Sequence, residues 1–461
     1  MACSAVDQEP ALGGVAGVSI DEIAIYQGVK RTLILDGAEV NSDVPLIQGR
    51  DALLRVFVTA DNDYDGGEVV GRLTLGDEVI EVAMERLRDE SRDHLIDTTV
   101  NFTIDGALVG PELEWSVEIL QEVEPGASGN PEARFPSEGS VRTTVEGRAN
   151  TLRLVIAPFS YEFDDSGRLP DLSDEQVERI RNRFLGMYPV SNVEVRVREP
   201  EQWFGELAPN GDGWFPVGFQ LLQMREDDGE SDDAYYYGIF DPAETFNQYC
   251  FGGCLLGVTL LNDSPEDAGS VNLRLALGVG FPEQAADTAA HEIGHAHGRP
   301  HSPCGPPGNT PADIDPDYPY DDGTVGVWGY DITSGDLHEP DEATDFMGYC
   351  ENAWVSDFTY QALHRRGRNV NLNVQGELKF DVYSVQGSDA EFVQTVTRAQ
   401  PVAGHPIEVT RLSGGNPTTQ VGYFSRWDHL PGGVLTVPHS ELATDQMEAV
   451  IDGRFVRIAA N

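Results

Sequence analysis

Lysine is almost missing from this chain: it occurs only at Lys30 and Lys379, and arginine supplies the rest of the 30 basic residues. Against these stand 78 acidic residues, giving a formal net charge of −48. A surface so short of positive charge is solvated and self-repelling, which argues against nucleic acid or anionic lipid as a partner. The acidic residues are spread along the chain rather than gathered in a tail. That pattern fits adaptation to high salt, and it equally fits an ordinary acidic secreted protein. No run of about twenty apolar residues occurs, so no transmembrane segment is expected. Internal repeats and low-complexity tracts are also lacking. The opening Met1-Ala2-Cys3-Ser4 has neither a basic segment nor an apolar stretch, so the chain as given reads as carrying no signal peptide.

Cysteine is sparse too, with five residues: Cys3, Cys250, Cys254, Cys304 and Cys350. An odd count fits two disulfides and one separate thiol, and four cysteines allow three pairings. Cys3 follows a small residue and precedes a polar stretch that ends at Pro10. This resembles the mature end of a bacterial lipoprotein and makes Cys3 a lipid-anchor candidate; an incidental exposed cysteine is the alternative.

What is present is globular material. Hydrophobic residues make up 40% of the chain, and 461 residues exceed what one core usually serves, so two or three domains are expected. Residues 1–17 read as a flexible tail. Alternating runs such as 53–58, 68–75 and 113–120, separated by turn residues, predict an antiparallel β-sandwich with a linker over 18–148. The pattern then changes. A buried-type strand at 151–158 is followed by a helix opened by Ser173, whose hydroxyl can cap the amide of Gln176. Val177, Ile180, Phe184 and Met187 share one face of that helix. A strand at 193–197 follows. Further helices are expected from Pro282 to His297 and from Trp354 to about Arg366. Beyond Gly367, alternating runs return and predict a small C-terminal β-domain over 371–461.

The chemistry is concentrated in His291-Glu292-Ile293-Gly294-His295-Ala296-His297-Gly298-Arg299-Pro300-His301. Histidines at i and i+4 share a helix face, so His291 and His295 can hold one ion. Glu292 lies one residue round the helix, where it can reach a water molecule without being a ligand. Continuing the helix would carry His301 away, and Gly298 is the residue that lets the backbone turn and return it. Three nitrogen ligands leave the fourth position open, as in catalytic rather than structural zinc sites. His297 points well away from His295 and is given no metal role.

This segment resembles the signature of the metzincin clan of zinc endopeptidases, His-Glu-x-x-His-x-x-Gly-x-x-His. The resemblance implies a methionine turn beneath the zinc, for which Met347 in Asp345-Phe346-Met347-Gly348-Tyr349-Cys350 is the candidate. It also implies that Tyr349 contacts the metal or steadies the transition state. With such a turn beneath the metal, Cys304 and Cys350 come together and Cys250 pairs with Cys254. The expected fold is therefore α+β and multidomain: a metzincin-like α/β catalytic domain over 149–370, flanked by the β-sandwich and the small β-domain. The expected activity is hydrolysis of peptide bonds in a protein or glycoprotein by one Zn2+, with Glu292 as general base. The expected setting is extracellular or surface-anchored. A catalytically inactive surface binding protein on the same scaffold is the alternative.

Two acidic stretches are weaker signals. Asp61 to Gly66 copies the opening of a calcium loop, but Arg72 stands where the closing glutamate belongs, so a hairpin turn is favoured. Asp313, Asp315, Asp317, Asp321 and Asp322 could hold a structural Ca2+ or form a solvated acidic loop.

Overall fold

A computed structural model describes residues 11–123, 129–147, 151–261, 274–305, 314–370, 378–398, 404–413, 416–440 and 446–459. It overturns the expected fold class. The chain is mostly β, 44% strand against 18% helix, built from antiparallel sheets, one mixed sheet and a closed seven-stranded barrel rather than as a metzincin-type α/β fold. The physical reason lies in the alternating segments. They pair with one another over long stretches, while the helices remain few and short.

The chain forms two compact units, the first comprising residues 1–150 together with 325–342. In it, Glu112–Val123 is the hub of one antiparallel sheet, flanked by Ala11–Gly14 and Val69–Leu75. The strand Ala11–Gly14 falls within the stretch expected to be a tail. Arg134–Phe135 and Val141–Thr144 also pair with Glu112–Val123. A second sheet runs Gly28–Leu35, Val18–Tyr26, Ala52–Ala60 and Val100–Ile104. The two-residue strands Gly329–Tyr330 and Leu337–His338 extend it from a later part of the chain. Alternate residues of both sheets, among them Val56, Val58, Leu73, Phe102 and Trp115, fill one core.

The second unit holds residues 151–324 and 343–461. Its mixed sheet has the order Asn192–Val197, Thr151–Tyr161, Ala234–Phe240, Leu275–Val279, Gly257–Thr259. The first four strands are parallel, the inner three of them largely buried; the last is an antiparallel edge. Among the described residues five α-helices accompany it: α1 (Asp174–Met187), α2 (Trp214–Asp228), the single turn α3 (Phe246–Tyr249), α4 (Ala285–Ala296) and α5 (Asp357–Val370). The Ser173 hydroxyl caps Gln176 at 3.4 Å, which sets the start of α1. Helix α4 begins later than Pro282 because Phe281 to Gln284 close a turn first, with the amides of Gln284 and Ala285 both donating to the Phe281 carbonyl. Trp354 is not in a helix. It pairs in a short strand with Asp345, and α5 starts only at Asp357.

The seven strands of the barrel run in the order Leu378–Gln386, Asp389–Arg398, Arg454–Ile458, Gln446–Ile451, His405–Ser413, Asn416–Arg426, Gly433–Pro438. Closure removes the sheet edges that seven exposed strands would otherwise leave. One side of the barrel shares a core with the mixed sheet: Phe380, Val382, Trp427 and Val434 pack with Trp214, Leu221 and Phe240. This shared core explains why the barrel belongs to the second unit.

At the C-terminal end of α2, Asp228 accepts bonds from Arg198 (2.7 Å), Arg196 (2.6 Å) and Tyr236 (2.8 Å). Burial alone would raise its pKa, but these donors outweigh it and hold the carboxyl down at about 2. A depressed carboxylate stabilises the fold above its unfolded pKa, and that stability is lost as pH falls from about 4 toward about 2. Asp228→Asn should therefore lower the denaturant midpoint at neutral pH and flatten its decline across that acid window. An unchanged midpoint and an unchanged acid decline would contradict this assignment.

Candidate metal centre

Helix α4 carries the first two histidines. Its alanines at 285, 286, 289, 290 and 296 favour the helix and let it lie close against the mixed sheet. It stops at His297, and Gly298 takes the left-handed conformation at φ +81°, the turn that returns the chain toward the helix. His301 comes back to the same point. The Nε2 atom of His295 lies 3.0 Å from Nε2 of His291 and 3.0 Å from Nε2 of His301.

The remaining nitrogens explain why those atoms face one another. His291 Nδ1 donates to the Phe346 carbonyl at 2.7 Å, and His295 Nδ1 donates to the Arg299 carbonyl at 2.6 Å. A carbonyl can only accept, so the protons sit on Nδ1 and the Nε2 lone pairs converge. Burial is the main cause that keeps these imidazoles neutral, pulling His291 down to about 4 and His295 well below its usual range. Lone pairs brought this close repel unless a cation lies among them. Ligands about 2.0–2.1 Å from a tetrahedral zinc are about 3.3 Å apart, close to the spacing found. The donor set fits a metal ion: His291, His295 and His301 form a buried group that could hold one.

The segment around Met347 lies directly against α4. A Cβ added at Gly294 would collide with the Met347 sulfur, so glycine is what allows the sulfur to lie against α4 at this point. The turn is fixed by Asp345, fully buried, which accepts from the amides of Met347 (2.9 Å) and Ser356 (3.1 Å) and from the Ser356 hydroxyl (2.5 Å). It is also stitched to the His301 loop. Ser302 N donates to the Met347 carbonyl at 3.1 Å, and Tyr349 N donates to the Cys304 carbonyl at 2.8 Å. A Cys304–Cys350 disulfide joins the two segments, and Cys250 is bonded to Cys254.

Glu292 is buried beside the histidines. One carboxylate oxygen accepts from the Thr259 hydroxyl at 2.8 Å, and the carboxyl packs against Gly257, where any Cβ would come within 2.3 Å of it. Burial first, and then the nearby Asp428 carboxylate, raise the Glu292 pKa well above the ordinary range, against the Thr259 bond. Tyr349 Oη lies 2.6 Å from His301 Nε2. His297 takes no part in the cluster: its ring stacks on Tyr235 at 4.3 Å, and its Nδ1 bonds to the Ile293 carbonyl.

Sequence reasoning missed two residues here. Asp428 and His429, at the end of the barrel strand Asn416–Arg426, enter the cluster: the ligand atoms of His429 and the three histidines all lie within 4.8 Å of one another. Asp428 Oδ2 is 3.7 Å from His295 Nε2. No spacing rule links them to His291. Their only sequence signal is a Trp-Asp-His turn in a chain with ten histidines.

The other candidates fall elsewhere. Cys3 and Asp313 lie outside the described residues. Asp61 and Asp65 accept bonds from the amides of Asp63 and Gly67, as in a self-contained turn, and Asp315 pairs with Arg299 at 2.5 Å. Among the described residues, the histidine cluster and the adjoining Glu292–Asp428–His429 group are the metal-competent groupings. Among these residues too, no helix is long and apolar enough to cross a membrane. No protein-family model matches the chain, and no curated protein matches it.

Proposed function

We propose that this chain is a zinc-dependent endopeptidase acting on protein or glycoprotein substrates outside the cell. The observation that carries the reading is the convergence of three histidine Nε2 atoms beside a buried glutamate. The likeness to metzincins that supports it is one of motif residues, His291 to His301 with Met347 beneath, and not of fold. Two disulfides fit an oxidising compartment, and Cys3 is the candidate for lipid attachment.

In this reading His291, His295 and His301 hold the ion. A bound zinc would supply Lewis acidity, polarising a carbonyl and acidifying water. Glu292, with one oxygen tied to Thr259, keeps the other available to take a proton from the attacking water and return it to the leaving amine. Tyr349, whose Oη lies 2.6 Å from His301 Nε2, would donate to the developing oxyanion. A cleft of about 510 Å³, lined by His291, Glu292, Leu255, Phe346 and Tyr349, adjoins the cluster and would receive a substrate side chain.

Chelation should silence cleavage of an unfolded protein substrate, and added zinc should restore it. Cleavage that survives complete metal removal would overturn the reading. A metal-loaded protein inert toward every protein and glycoprotein offered would favour the binding-protein alternative.

A further inference from the structure

The barrel delivers a fourth nitrogen to the cluster, and it is held there by more than a surface loop. After the strand Asn416–Arg426 the chain runs along the edge of the mixed sheet. Trp427 bridges Leu260, Leu261 N donates to the Arg426 carbonyl at 2.7 Å, and Asp428 N donates to the Thr259 carbonyl at 3.0 Å. The Asp428 carboxylate, fully buried, accepts from Thr259 N and from His429 N, each at 2.9 Å. The Trp427 ring is buried against Phe215 and against Gly218 of α2, where a Cβ would come within 2.8 Å of it. Thr259 thus grips Glu292 with its side chain and the barrel turn with its backbone.

This anchoring places His429 beside the three histidines, with the ligand atoms of all four within 4.8 Å of one another. Its ring lies 5.3 Å from that of His301 at an interplanar angle of 30°. Its Nε2 is 2.7 Å from Tyr349 Oη, which also touches His301 Nε2, and 3.3 Å from Asp428 Oδ2. Four imidazoles about one point make a closed coordination set, the mark of a structural site. Yet a structural site needs neither a buried glutamate at its side nor an adjoining cleft, and both are present. The two features are reconciled when the closed set is a resting form of a catalytic centre.

We propose that His429 is a fourth protein ligand to the metal, a latch supplied by the C-terminal barrel that occupies the position water and the substrate carbonyl would need. This inference rests on the three-histidine metal site proposed above.

Cobalt(II) substitution tests it. The full chain loaded with Co2+ should show a four-nitrogen visible spectrum that added azide does not perturb. His429→Ala, and His429→Gln as a second variant of similar bulk, should change that spectrum and make it responsive to azide. Both should weaken metal affinity by about tenfold or more in competition with a chromophoric chelator, and zinc-loaded cleavage should rise. Spectra and affinities identical to the native protein in both variants would overturn the latch. His295→Ala separates the two levels. If it loses cobalt while the His429 variants are unchanged, the three-histidine site stands and the latch falls. If it binds cobalt as the native chain does, the underlying metal site itself is wrong.

Discussion

Glu292→Gln should lower peptide-bond cleavage by roughly 10²- to 10⁴-fold while leaving the metal bound. Glutamine keeps the size of the side chain and can still meet the Thr259 hydroxyl, so the fold and the three histidines are undisturbed. What it removes is a proton acceptor that burial and Asp428 have made unusually basic for a carboxylate. The comparison should be run in the native background and in His429→Ala, so that the latch does not mask the loss. Metal content by elemental analysis and cleavage of a denatured protein are the paired readouts. Retained cleavage with metal in place would remove Glu292 from the mechanism.

The second large effect is expected at the Cys304–Cys350 disulfide. The bond spans 46 residues, and closing a loop of that length stabilises a fold by roughly 4 kcal/mol in the chain-entropy picture. Its position matters more than its length. It ties the segment that returns His301 to the segment that puts Met347 beneath α4 and the Phe346 carbonyl on His291. Cys304→Ser with Cys350→Ser should therefore lower the thermal midpoint by about 6 °C and loosen metal retention as well. Cys250→Ser with Cys254→Ser opens a loop with a separation of only 4 and does not tie the His301 segment to the Met347 turn, so it should cost less stability and leave metal retention unchanged. Equal metal loss in both pairs of variants would contradict this division of roles.

The three-histidine cluster was legible because it is local. Two ligands sit one helical turn apart, and the third follows a glycine whose left-handed conformation can be anticipated from its residue type. The wider frame was not legible in the same way. Alternation over 378–458 announces strands, but nothing in a two-residue period says that they close into a barrel, and the motif drew the expectation toward an α/β class that the strand-rich chain does not adopt. Trp354 reads as a helix opener by its neighbours, yet backbone pairing with Asp345 holds it extended. Asp428 and His429 were hidden for a related reason. They reach the cluster through sheet-edge pairing with Thr259 to Leu261, a contact made across more than a hundred and sixty residues of sequence. The two-residue strands at Gly329 and Leu337 are likewise too short to announce that they pair into the first unit's sheet.

The central claim, that His291, His295 and His301 hold a catalytic zinc, is tested most directly by following zinc content and cleavage on the same samples as a chelator is titrated in. The expected result is one zinc per chain in the untreated protein, with cleavage falling in step with zinc removed and returning when zinc is added back. Full cleavage by metal-free chain, or purified protein that neither contains nor takes up zinc, would contradict it.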